Sequence, residues 1–152
     1  MYQRILVPLE REGGAEGHLQ HAAKLAAEED AELTLLRVVT VVAADEYVMK
    51  RIQVEVGSSG AKRKAEAEAY VSRLAQQLQA ADVKATPRVV VSDLAEDEVI
   101  VAQAAEMESD LIVLPNQRRS AFSRWLQGNV TAKVQRRSDV PVLMVRDQQE
   151  GE

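Results

Sequence analysis

Six cations with no acid among them mark the stretch of this chain whose residue types point most clearly to a ligand. From Leu111 to Ser138 there is no Asp or Glu, while Arg118, Arg119, Arg124, Lys133, Arg136 and Arg137 all fall inside it. The stretch is +6 in a chain of formal net charge −5, which leaves −11 for the remainder. A basic island in an acidic protein suits an anion or an acidic partner, or it is a solvated surface. Within the island, Gly128-Asn129-Val130 opens a helical pattern. A helix start presents backbone N–H groups and the positive end of the dipole to a phosphate, or it is an ordinary N-cap.

Other chemistries find less support. There is no GxxxxGK[ST] and no GxGxxG after a strand, so neither a Walker-type loop nor a dinucleotide fingerprint is present. Gly13-Gly14-Ala15-Glu16-Gly17 lies between a strand and a helix pattern, where a phosphate could reach it, but it reads first as a loop. His18 and His21 are three apart and lack a third ligand for zinc, so both are expected at the surface. Ser120, Ser123 and Ser138 have no nucleophile context. Phe122 and Trp125 have the spacing to stack a base, but residues so placed more often pack inward. With no cysteine, disulfides, thiolate metal sites and cysteine nucleophiles are excluded. No catalytic residue and no metal site is assigned, and an enzyme is not expected.

The elements that position the island alternate. Ile5-Leu6-Val7 reads as a first strand ending at Pro8, and Leu9–Gly17 as a loop. A helix follows with Leu19, Ala22, Ala23 and Ala26 on one face, then a strand over Glu32–Val39. Thr40–Gly60 has no clear period: a short helix at Asp45–Val54 is conceivable, and Gly57-Ser-Ser-Gly60 reads as a break. A long helix spans Lys62–Ala80, with Ala67, Val71, Leu74, Leu78 and Ala81 as its stripe. Lys84–Val91 is a strand whose Pro87 places it at an edge. Asp93 and Glu96 have the form of a capping box before a helix bearing Val99, Ile100, Ala104 and Met107. Leu111–Leu114 is a strand buried on both faces, meeting Pro115. A helix over Val130–Arg137 and a strand over Val140–Val145 complete the pattern, and Asp147–Glu152 is an expected disordered tail.

Strand–helix alternation with such crossovers implies an α/β fold: a five-stranded parallel sheet with helices on both faces, one domain over residues 1–146. The core must be aliphatic, because aromatics are only 3% of the 152 residues. No apolar run is long enough to span a bilayer and no signal peptide is evident, so a cytoplasmic protein is expected. A sequence pI near 5.2 argues against general nucleic-acid binding.

These residues resemble the universal stress protein family over nearly the whole chain, from Ile5 to Val145. ILVPLE resembles the family's first strand with its terminal acidic residue, LTLLRVV its second strand, and SDLIVLPNQRRSAFSRWLQGNVTAKVQRRSDVPVLMV its C-terminal signature. The resemblance implies a three-layer, adenine-nucleotide alpha-hydrolase-like open sandwich of strand order 3-2-1-4-5. It also implies that Pro8, Glu10 and Val38 stand where relatives meet the ribose end and the adenine. ATP-binding members resemble one another in Gly, two residues, Gly, nine residues, Gly, then Ser or Thr. Those positions are here Pro115, Arg118, Gly128 and Asn129, with Val130 following, and Glu10 stands where binders usually carry Asp. Pro115 adds a ring and removes a donor, and Arg118 either obstructs the phosphate cradle or grips phosphate itself.

The resulting expectation is a homodimeric regulatory or stress-response module with ATP binding lost or weakened, paired through the last strand at Val140, Val142, Leu143, Met144 and Val145. No cofactor is certain, and ATP or AMP is possible. One alternative is an ATP- or AMP-binding switch that uses Arg118 and the Gly128–Val130 helix start for phosphates, a slow ATPase or phosphotransfer activity being its only catalytic variant. Another is an interaction module docking an acidic protein partner on Arg118, Arg119 and Arg124. Membrane insertion and nucleic-acid binding are not expected.

Overall fold

The central strands β1 and β4 of this chain are apolar on both sides, and the fold gives each side a helical layer. The computed structural model describes residues 1–10, 16–41, 57–116, 125 and 129–146, with backbone alone at 57–59. In chain order these form β1 (Arg4–Leu9), α1 (Gly17–Glu29), β2 (Glu32–Thr40), α2 (Gly57–Ala80), β3 (Lys84–Ser92), α3 (Glu96–Glu106), β4 (Leu111–Asn116), α4 (Val130–Arg137) and β5 (Val142–Arg146). The five strands make one parallel sheet in the order β3-β2-β1-β4-β5, as the sequence implied.

Strand alternation sorts the core into two clusters. Ile5, Val7 and Leu9 face Leu19, Ala22 and Ala26 of α1 and Val71 and Leu74 of α2. Leu6, Leu36, Ile112 and Leu114 face Val99 and Ile100 of α3, Val130 and Val134 of α4, and Trp125. Burial on both faces is why the strands read as unbroken apolar runs. Each fully buried Leu, Ile or Val side chain contributes roughly 1.5–3 kcal/mol by removal from water.

The amino ends of the central strands are tied and the carboxyl ends are not. Asp110 accepts from the backbone N–H of Gln3 at 2.8 Å and of Arg4 at 3.0 Å, and its own N–H donates to the Arg4 carbonyl at 2.8 Å. β1 and β4 then pair only at Ile5↔Leu111 and Leu6↔Ile112, whereas β1 and β2 stay in register to Leu9↔Arg37. A crevice therefore opens between β1 and β4, where the strand order reverses, which is the usual ligand position in open parallel sheets.

Two prolines flank that crevice. The Arg4 carbonyl faces β4, so by alternation Pro8 also directs its donorless nitrogen there, where pairing has ceased. Ile112 donates to Pro141 on the β5 side, so Pro115 directs its nitrogen toward β1. Neither proline costs a ladder bond. This is why β1 runs on through Pro8 to Leu9 and β4 through Pro115 to Asn116, past the ends read from sequence.

Several local expectations change. Gly57–Gly60 is not a break but the first turn of α2, since glycine loses helix propensity without forbidding the helix. The Asp93 capping box does not form: the N-cap of α3 is Ala95, with no side-chain cap bond. Nearby, the Ser92 hydroxyl accepts from the Leu94 N–H at 3.0 Å. The α2 stripe loses Ala81, which lies exposed past the helix end, and gains Tyr70 and Ala75. Pro87 does sit on an edge strand. Asp45–Val54 and the 147–152 tail lie outside the described residues.

Candidate functional site

A cleft of about 390 Å³ opens over the carboxyl ends of β1 and β2. Its wall includes Glu10 just past β1, Arg37 to Thr40 of β2, Arg63 and Tyr70 of α2, and Glu96 at the start of α3. The volume lies in the range of small-molecule sites.

β2 outruns β1, and that overhang forms one edge of the cleft. Glu32 donates to Gln3 on β1, while Val41 donates to Ser92 on β3. Alternation then turns the even-numbered peptide groups of β2 toward the β1 side. The carbonyls of Val38 and Thr40 point there, beyond the last registered pair at Leu9↔Arg37. Both are covered by side chains. Arg37 Nη1 donates to the Val38 carbonyl at 2.9 Å, and Arg63 Nη1 donates to the Thr40 carbonyl at 3.0 Å.

Two of the lining carboxylates, Glu10 and Glu96, are held by Trp125. Its side chain is 1% exposed and packs in the cluster that holds Leu6, Leu36, Val38, Leu114 and Val130. Its backbone N–H donates to Glu10 Oε2 at 3.3 Å, and its indole Nε1–H donates to Glu96 Oε2 at 2.8 Å. Glu10 is itself buried. The inward packing expected of Trp125 is what the structure has. Phe122 lies outside the described residues.

Beneath the cleft a polar pair joins α1 to α2, with the Tyr70 hydroxyl donating to Glu16. Burial pushes the Tyr70 phenol well above its ordinary range, and the Glu16 carboxylate pushes it further the same way. Arg73 lies 5.6 Å from the Tyr70 ring centroid, within cation–π range.

His18 corrects the sequence reading. It is not at the surface but 1% exposed, and its Nε2–H donates to the Pro8 carbonyl at 2.8 Å. That carbonyl faces the β4 side where no strand partner is registered. His21 is exposed as expected.

Asn129 also differs: it adopts the left-handed conformation at φ 57° as N-cap of α4 and makes no side-chain cap bond. Asn tolerates that conformation better than most residues. Val130 is buried in the core and does not line the cleft. Of the basic island, Arg137 pairs with the chain's own Asp97 at 2.9 Å, so that cation ties α4 to α3. Arg118, Arg119, Arg124 and Gly128 lie outside the described residues. Among the described residues, no group of three or more His, Asp or Glu is placed to hold a metal ion.

The sequence profile of the universal stress protein family matches residues 1–146. The chain belongs to the universal stress protein family. Structural comparison agrees. UspA, a universal stress protein from Lactobacillus plantarum, superposes with a TM-score of 0.76 at 23% identity, over 95% of this chain and 98% of that one. The hypothetical protein MJ0577, whose biochemical function was assigned from its structure, gives 0.75 at 26% identity, over 97% of each chain. A universal stress protein in complex with cAMP gives 0.64 at 24% identity, over 95% and 97%. A search of curated proteins returned no matching sequence.

Of the positions carried over from the family signature, Glu10 and Val38 meet at the cleft. Pro8 and Pro115 flank the neighbouring crevice, and Asn129 and Val130 start α4. Arg37, Arg63, Tyr70 and the roles of Glu96 and Trp125 were not singled out from sequence. Arg37 left a signal, since it is the one charge within the apolar run LTLLRVV. The others are helical residues whose approach to the end of β2 has no local signature. No helix of the described residues is long and apolar enough to cross a membrane.

Proposed function

We propose that this universal stress protein is a cytoplasmic homodimeric regulatory module whose adenine-nucleotide site is degenerate, so that ATP binding is weak. The observation that carries this reading is Trp125. Its indole is buried in the cluster that also holds Val38 and Val130, and its two N–H groups donate to Glu10 and Glu96. A nucleotide held by Val38 and by the start of α4 would meet that indole, which packs in the same cluster as both. Pro8 and Pro115 supply no N–H to the crevice, and the carbonyls of Val38 and Thr40 already accept from Arg37 and Arg63. The protein acts by binding and not by turnover.

The edge of the sheet supports the dimer. Ile112 donates to Pro141, so the peptide groups of Val142, Met144 and Arg146 point away from β4. Val142 to Val145 are half-buried and apolar, with Val140 close by. A second copy of β5 added edge to edge would satisfy these groups and cover the apolar side chains. β3 offers no such edge: Ser92 accepts from Val41, so the outward positions include Pro87, which has no N–H to give.

A nucleotide switch is the second reading, favoured by the cAMP bound to the relative of TM-score 0.64. In it Arg118 and the Gly128–Val130 helix start hold the phosphates of ATP or AMP. Titration with ATP and Mg²⁺, together with the Arg118→Gly variant, separates the two. Binding by the unmodified protein that the variant loses makes the arginine a phosphate ligand. Binding gained only by the variant makes it an obstruction.

A further inference from the structure

We draw no further inference here: the strongest candidate, the apolar surface at Val91 and Leu94 where the chain leaves β3 for α3, carries nothing because no feature of the structure shows what covers it.

Discussion

The indole Nε1–H of Trp125 donates to the Glu96 carboxylate at 2.8 Å, joining the segment after β4 to the first turn of α3. That turn carries Glu96, Asp97 and Glu98, acids that also suit the positive end of the helix dipole. All three are engaged by the C-terminal third of the chain, Glu96 by Trp125, and Asp97 and Glu98 by Arg137 at 2.9 and 3.7 Å. The start of α3 is therefore an anchor for the C-terminal third of the chain.

Trp125→Phe keeps most of the buried volume and removes only the indole donor. It should lower stability by about 1–2 kcal/mol, the range for a lost hydrogen bond to a charged group. Trp125→Ala also leaves a cavity beside Leu6, Leu36 and Ile112, and should cost about 3–5 kcal/mol. Urea unfolding of the three proteins gives the comparison. Equal stabilities for the Phe variant and the unmodified protein would remove Glu96 from the anchor.

Asp97 and Arg137 should respond unequally to truncation. The Asp97 side chain is 3% exposed and that of Arg137 is 53% exposed. Arg137→Ala strands a buried carboxylate, and should cost roughly 1–3 kcal/mol after allowance for the exposed partner. Asp97→Ala leaves a guanidinium that water can reach, and should cost less. Chemical denaturation in low and high salt would show the order, and the reverse order would contradict it.

How much of this was legible in the sequence varies with the range of the cause. Apolar runs such as Leu111–Leu114 announce strands covered on both faces, and the alternation announces the parallel sheet. Pro87 announced an edge because its missing donor is a local fact. Pro8 and Pro115 misled about strand ends because whether a missing N–H matters depends on where β1 and β4 stop pairing. His18 misled for the same reason, since its partner, the Pro8 carbonyl, exists only once the strand next to it ends. Asp93 offered a cap in sequence, but the chain turns so that Ala95 starts the helix. The cleft's arginines were hidden because the covered carbonyls follow from β2 outrunning β1.

Val142→Pro should weaken self-association, because it removes an N–H that points away from β4 and leaves the β4–β5 ladder intact. Met144→Lys should act in the same direction by charging a half-buried side chain of that strand. Sedimentation equilibrium reads both. An unchanged dimer mass in each variant would rule out this edge as the interface.

Tyr70 sets an alkaline limit. Its folded pKa is raised above the ordinary value by burial and then by Glu16, so the folded state holds the proton more tightly than the unfolded chain. The resulting stability is fully present below the unfolded tyrosine pKa of about 10 and is lost as pH rises beyond it. Tyrosinate absorbance should show one of the three tyrosines titrating only with unfolding. Tyr70→Phe should abolish that late step and flatten the fall in stability above about pH 10. A full three-residue titration in the folded protein would contradict this.

Calorimetric titration of the unmodified protein with ATP and Mg²⁺ tests the central claim most directly. With the Trp125 indole packed in the cluster that holds Val38 and Val130, the predicted result is binding weaker than about 100 µM, or no saturable heat. A saturating isotherm with a Kd below about 1 µM would mean that Trp125 does not weaken the site, and the nucleotide-switch reading would replace the one proposed.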